Sequence, residues 1–181
     1  MFGFKKKNNS TEELLKALDL IIPHQDQRDF MKETLLKITN DKDSAFENSK
    51  YRFGYMDSER SHLDKKSKNI GTYVFYDLIT ESYLQLTRKI NNQDDLWSKI
   101  SVLLINYDCN HLRPQLDFQI YDNKDVEYSI DNVNSIFDTD DYVIYSLTIK
   151  SDSAIGFISR DSFNLIRELL KDSELMIEIK E

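Results

Sequence analysis

The sequence Cys109-Asn110-His111 places the only thiol of the chain two residues from an imidazole, and cysteine-based nucleophilic catalysis uses these two groups. A catalytic base must face its nucleophile at hydrogen-bonding distance, which residues so close in one turn do not readily do. Catalytic Cys and His also come, as a rule, from separate elements of a fold. We therefore interpret this segment as a loop that links two strands, without a catalytic role.

Metal binding needs several converging ligands, and the candidate ligands do not have the spacing of a known site. His24, His62 and His111 are far apart in the sequence and form no HExxH pair. The segment 138–141, Asp-Thr-Asp-Asp, lacks the central Gly and the downstream Glu of an EF-hand loop. The sequence therefore predicts no metal site and no cofactor.

One pair of side chains, an acidic and a basic one, fits an alternative function, a metal-dependent hydrolase or nuclease. Glu178 and Lys180 share one face of a predicted strand, because successive side chains of a strand alternate between its faces. Such a pair holds a divalent metal and orients a water only when an Asp stands nearby on another strand. Phosphate-binding and serine-hydrolase motifs are absent from the sequence, which contains only 4 Gly.

The charge of the chain is unevenly distributed. The formal net charge is −8, with 24 Lys and Arg against 32 Asp and Glu. Residues 1–92 carry 16 basic and 14 acidic side chains, or +2, whereas residues 93–181 carry 8 basic and 18 acidic ones, or −10. A negative field of this kind repels nucleic-acid phosphates and membrane headgroups and attracts cationic proteins. We expect a basic protein partner, and neither a nucleic acid nor a membrane.

Tyrosines accompany these acidic residues. Tyr supplies a large contact area at low entropic cost, and Asp steers a cationic partner. The same tyrosines also fit half-buried positions in strands. The candidate partner-binding residues are Asp117, Tyr121, Asp122, Asp125, Glu127, Asp138, Asp140, Asp141 and Tyr142.

The first half of the chain has mainly helical patterns. We expect a flexible basic tail over residues 1–9 and a single α+β domain over residues 10–181. Apolar residues with helical spacing predict helices over about 10–22, 25–39 and 72–91. The stretch 72–76 is rich in β-branched and aromatic residues, so a strand stays an alternative there.

The second half changes to strand patterns. The nearly continuous apolar run over 96–107 predicts a central strand covered on both faces. Alternating or short apolar segments predict further strands at 51–55, 115–121, 126–130, 142–149 and 175–179. Ser159 is suited to cap a helix over 160–171. N-terminal helices and a central helix on a mainly antiparallel sheet, with a C-terminal helix and strand, make an α+β fold.

The sequence also indicates a compartment. A single cysteine excludes an intrachain disulfide, and no apolar segment of a secretory signal follows Lys5-Lys6-Lys7. No stretch approaches the roughly 18 consecutive apolar residues of a membrane helix. We therefore expect the protein in the cytoplasm.

Three segments of the chain resemble a known family. Residues 76–86 (YDLITESYLQL), 96–104 (LWSKISVLL) and 115–122 (QLDFQIYD) are similar to a helix, a Trp-led strand and a Phe-x-x-Tyr-Asp-type strand of YezG-like immunity proteins. Those small cytosolic bacterial proteins bind and block a polymorphic-toxin domain, and they have no catalytic motif. The resemblance implies a non-enzymatic immunity protein. An adaptor with an unrelated protein partner stays a further alternative, and the oligomeric state is open.

Overall fold

A computed structural model of the chain describes residues 11–41, 70–80, 82–87, 90–112, 134, 141–150 and 152–179. The chain divides into two compact units, the first of residues 1–78 with 172–174 and the second of residues 79–171 with 175–181. The described residues form five α-helices and one four-stranded antiparallel sheet, which confirms the predicted α+β class. The tail over 1–9 lies outside the described residues, and the single domain stays a prediction.

In the first unit, the described residues form two helices that are joined by ion pairs, and most of a third helix. Helix α1 spans Thr11–Ile21 and helix α2 spans Gln25–Asn40, which confirms both predicted helices. The buried side chains of α1 recur with helical spacing, because an amphipathic helix buries one stripe; they are Leu14, Ala17, Leu18 and Ile21. Asp19 of α1 forms ion pairs with Lys32 and with Arg28 of α2, the latter at 3.5 Å between Oδ1 and Nε.

The third helix, α3, spans Ile70–Ile79. Its buried residues lie on all sides, which is typical of a helix enclosed within a protein; they are Ile70, Thr72, Tyr73, Val74, Phe75, Tyr76 and Ile79. The alternative of a strand at 72–76 is therefore wrong. The predicted helix over 72–91 is right only as far as residue 79, because a strand follows at Leu84–Leu86.

The second unit is built on the sheet. Its strands are β1 (Leu84–Leu86), β2 (Tyr142–Ile149), β3 (Asp152–Ser159) and β4 (Leu175–Ile179), in the order β1-β3-β2-β4. Strands β2 and β3 form a hairpin that pairs along its whole length, whereas β4 pairs with β2 only from residue 145 to residue 149. The predicted strands at 142–149 and 175–179 are confirmed; β1 and β3 were not predicted.

Helix α4 spans Gln93–Asn106, so the predicted central strand over 96–107 is wrong. The Asn92 side chain caps the helix, since its Oδ1 accepts a hydrogen bond from the Asp95 backbone N–H at 2.8 Å. Asp94 and Asp95 in the first turn favour the helix through its dipole. The buried residues have helical spacing and are Leu96, Ile100, Leu103 and Leu104.

Helix α5 spans Arg160–Leu170 and confirms the predicted C-terminal helix, with the Ser159 hydroxyl accepting from the Ser162 N–H at 3.3 Å. Helices α4 and α5 cover opposite faces of the sheet. Ile144 lies in the apolar cluster of α4, whereas the next residue, Tyr145, contacts Phe163 of α5 with ring centroids 5.9 Å apart. Neighbouring strand residues point to opposite faces, so the sheet is the middle of three layers.

Candidate functional site

Four aromatic rings form a line of contacts at the end of the sheet where β2 begins, and each ring touches the next one in the line. The ring of Tyr142 stacks on Phe157 at 5.0 Å between centroids, with 11° between the planes. Tyr107, which follows α4, meets Phe157 edge to face at 5.7 Å, and Tyr83 meets Tyr107 in the same way at 5.7 Å. We call these four residues the aromatic row. Tyr107 and Tyr142 are half-buried, whereas Tyr83 and Phe157 are buried, so the row reaches the surface at two tyrosines.

Asp141 lies at the surface immediately before Tyr142. Its φ of 58° is in the left-handed region, which Asp tolerates better than most residues. Its backbone carbonyl accepts a hydrogen bond from the Arg160 N–H at 2.8 Å, which joins the start of β2 to the start of α5. The backbone of Asp141 is therefore held beside the aromatic row.

Asp108 is a second exposed carboxylate beside the row, and sequence reasoning missed it. Its φ is 55°, its N–H donates to the Ile105 carbonyl at 3.1 Å, and the Cys109 N–H donates to the Leu104 carbonyl at 2.8 Å. These two bonds form a Schellman motif that ends α4. Burial raises the pKa of the Tyr83 hydroxyl, and the charge of Asp108 raises it further.

The thiol of Cys109 lies under this turn and is 3% exposed. Its Sγ–H donates to the Tyr107 carbonyl at 3.3 Å. Burial raises the pKa of the Cys109 thiol, a hydrogen bond with Tyr142 lowers it, and the charge of Asp108 raises it. The neutral thiol is a weak nucleophile, and His111 is exposed in the short 3-10 turn Asn110–Leu112. In this setting Cys109 packs as an apolar residue.

Asn134 is buried against the edge of β2. Its Oδ1 accepts a hydrogen bond from the Ile144 backbone N–H at 2.7 Å, and its Nδ2 donates to the Ile144 carbonyl at 3.0 Å. An amide side chain carries one carbonyl and one NH₂ group, so it pairs with a backbone edge as another strand would. No feature of the sequence distinguishes Asn134 from the other asparagines, and sequence reasoning missed it.

The structure describes two of the nine predicted partner-binding residues. Asp141 and Tyr142 lie together at the start of β2, and Cys109 senses both Tyr142 and the charge of Asp108. The other seven predicted residues lie outside the described residues: Asp117, Tyr121, Asp122, Asp125, Glu127, Asp138 and Asp140. The strands predicted at 51–55, 115–121 and 126–130 also lie outside them.

The described residues contain no group of three His, Cys, Asp or Glu side chains that could hold a metal ion. Glu178 is exposed on β4, and its predicted companion Lys180 lies outside the described residues. In the same part of the chain, none of the helices combines the length and the apolar character that a membrane crossing requires.

Comparisons of the chain with protein-family models, with curated proteins and with solved structures gave no match.

Proposed function

We propose that this chain is a non-enzymatic binding protein, an immunity protein that blocks a cationic bacterial toxin domain. The proposed contact surface is the acidic region at the start of β2, where Asp141 and Tyr142 meet the aromatic row. Carboxylates there would pair with the Lys and Arg side chains that a nuclease-like toxin uses to hold phosphates.

The proposal rests on one observation, the position of the two described residues that flank the acidic segment 113–140. Residues 113–140 contain 7 acidic and 2 basic side chains, a net charge of −5, which is half of the −10 of residues 93–181. Leu112, just before them, is buried in the same cluster as Phe157. Asp141, just after them, precedes Tyr142, which stacks on Phe157. Both described flanks of the acidic segment therefore belong to the part of the second unit that packs in the cluster of Phe157.

Association kinetics test the electrostatic part of the proposal. The partner to measure is the catalytically inactive product of the gene next to the one that encodes this chain. We expect the association rate constant to fall about tenfold or more between about 50 mM and about 500 mM NaCl, because salt screens long-range attraction. Reversing Asp138, Asp140 and Asp141 together to Lys should lower it by about tenfold or more at low salt.

A variant with the same change in total charge provides the control. Asp141→Lys and Glu33→Lys each change the net charge by +2, but Glu33 is exposed on α2 in the first unit. We expect Asp141→Lys to slow association several-fold more than Glu33→Lys does. A rate constant that does not respond to salt, or equal losses in the two variants, would remove the electrostatic basis of the proposal.

A further inference from the structure

The ring of Tyr142 is held on two sides. One face stacks on the buried Phe157, with 5.0 Å between centroids and 11° between the planes. At the far end of the side chain, the hydroxyl forms a hydrogen bond with the buried Cys109 thiol, which itself donates to the Tyr107 carbonyl. Tyr142 is half-buried, so its solvent-exposed part lies on the side away from Phe157. With its hydroxyl bonded inside, Tyr142 offers a ligand chiefly the π surface of the ring.

An exposed carboxylate belongs to each end of this side chain. Asp141 immediately precedes Tyr142 and therefore lies at the backbone end. Asp108 immediately precedes Cys109, and its charge acts on the thiol that bonds the Tyr142 hydroxyl, so Asp108 lies toward the hydroxyl end. Within the described parts of the chain, neither carboxylate has an ion-pair partner. The face of an aromatic ring is itself negative, so ring and carboxylates attract the same cation.

We infer that the exposed side of the Tyr142 ring receives an arginine of the partner, whose guanidinium stacks on the ring and pairs with Asp108. This inference rests on the proposed function and names one contact within it. A guanidinium is planar and weakly hydrated, so it stacks on an aromatic face while its N–H donors, which lie in its plane, reach a carboxylate beside the ring. The ammonium of Lys is compact and strongly hydrated and combines these two contacts less well.

Two substitutions of Tyr142 separate the ring from its hydroxyl. Tyr142→Leu removes the π surface and keeps an apolar side chain, so we expect it to weaken binding of the inactive neighbouring-gene product about tenfold, through faster dissociation. The association rate constant and its salt dependence should stay unchanged, because the charges do. Tyr142→Phe keeps the stacking surface and should bind within about threefold of wild type. Equal losses in the two variants would assign the contact to the hydroxyl and overturn the stacking.

Asp108→Asn tests the carboxylate that pairs with the guanidinium. Loss of its charge should speed dissociation about fivefold. The same change removes a negative charge from the C-terminal end of α4, where the helix dipole disfavours it, so the fold should not be weakened. Weaker binding by a variant at least as stable as the wild type in urea cannot result from unfolding. Wild-type dissociation in Asp108→Asn would overturn the pairing.

Phe30 and Asp29 offer matched controls, because both are exposed on α2 in the first unit. Phe30→Leu and Asp29→Asn make the same kinds of change and should leave the dissociation rate constant within about twofold of wild type. Wild-type dissociation in both Tyr142→Leu and Asp108→Asn, together with slower association in Asp141→Lys, would overturn the arginine contact and leave the proposed function standing. If the wild type does not bind the probe, the proposed function fails.

Titration with small cations gives a readout that needs no partner protein. N-acetylargininamide and N-acetyllysinamide each carry one positive charge and differ in the shape of the cation. We expect the backbone amide resonances of Tyr142 and Cys109 to respond at an argininamide concentration at least about threefold lower than the lysinamide concentration. Tyr142→Leu should abolish this difference. Equal responses to the two amides in the wild type would reduce the site to charge alone and overturn the arginine assignment, whatever the partner binds.

Discussion

At the scale of single residues, Asp108 has a left-handed backbone conformation that Gly adopts with less strain. It occupies the left-handed position of a Schellman motif, where Gly has no Cβ to strain. Its negative charge also lies at the C-terminal end of α4, where the helix dipole disfavours it. Asp108→Gly should therefore raise the free energy of unfolding by about 0.5–1 kcal/mol, measured as a higher urea midpoint with an unchanged slope.

Two further substitutions separate strain from charge at this position. Asp108→Asn removes the charge and keeps a side chain that tolerates the left-handed region. Its free energy of unfolding should therefore rise only by the electrostatic part of the increase expected for Asp108→Gly. Asp108→Val adds β-branching at a positive φ and should lower the free energy of unfolding by about 1 kcal/mol or more. A Val variant as stable as the Gly variant would contradict the assigned turn.

At the scale of elements, the pairing of β2 with β3 depends on Gly156, because the ring of Tyr145 fills the space that a side chain at residue 156 would occupy. Gly156 faces Tyr145 in register, and a Cβ at residue 156 would lie 2.5 Å from the Tyr145 Cζ. Tyr145 is fully buried and contacts Phe163, so its ring has little room to move. Gly156→Ala should lower the free energy of unfolding by about 2 kcal/mol or more, measured by urea denaturation.

A double-mutant cycle tests whether the ring is the cause. Tyr145→Val opens the space above residue 156. In this background, Gly156→Ala should lower the free energy of unfolding by at least about 1 kcal/mol less than it does in the wild type. Equal costs in the two backgrounds would assign the loss to backbone effects instead of to the contact with Tyr145.

The same elements show how far the sequence predicts the fold. Helices α1, α2 and α5 and strand β4 have amphipathic patterns with one clear period, and the sequence predicts all four. The sequence also predicts β2, which the structure buries on both faces. The prediction of a strand at α4 is wrong because a nearly continuous apolar run fits a buried helix and a buried strand equally well. The cap at Asn92 and the two aspartates after it were the local signal that distinguishes the two.

Other elements and site residues depend on tertiary contacts. Strand β3 contains Ala154 and Gly156, which have low strand propensity, and it forms because β1 and β2 pair with its two edges. Asp141 and Tyr142 were proposed from composition, and the structure shows that they stand at one end of a packed aromatic row. Asn134 and Asp108 could not be predicted, because their roles come from Ile144 and from the end of a helix that was predicted as a strand.

At the scale of the whole molecule, ten tyrosines make the chain sensitive to alkaline pH. Burial raises the pKa of Tyr145, and that of Tyr107 is raised well above its ordinary value of 10.0 by burial and by neighbouring Tyr145, Tyr83 and Cys109. For Tyr83, burial raises the pKa and Asp108 adds to the effect. In each case the fold favours the neutral phenol.

The sign of the resulting pH dependence follows from linkage. The unfolded chain ionises these phenols near pH 10.0, whereas the folded chain holds them neutral to higher pH. The stability that these three groups contribute is therefore fully present below pH 10 and is lost as the pH rises above it. We expect the fold to be lost cooperatively in that range, as measured by circular dichroism.

Tyrosinate absorbance measured alongside the circular dichroism identifies the groups responsible. Among the described tyrosines, at least Tyr83, Tyr107 and Tyr145 should ionise late and together with unfolding. Tyr145→Phe keeps the ring against Phe163 and removes one buried phenol, so the late class should lose one group and the pH midpoint of unfolding should rise. If all ten phenols ionise in one step near pH 10 while the fold is intact, these three hydroxyls are not shielded from water, and the burial assigned to them is wrong.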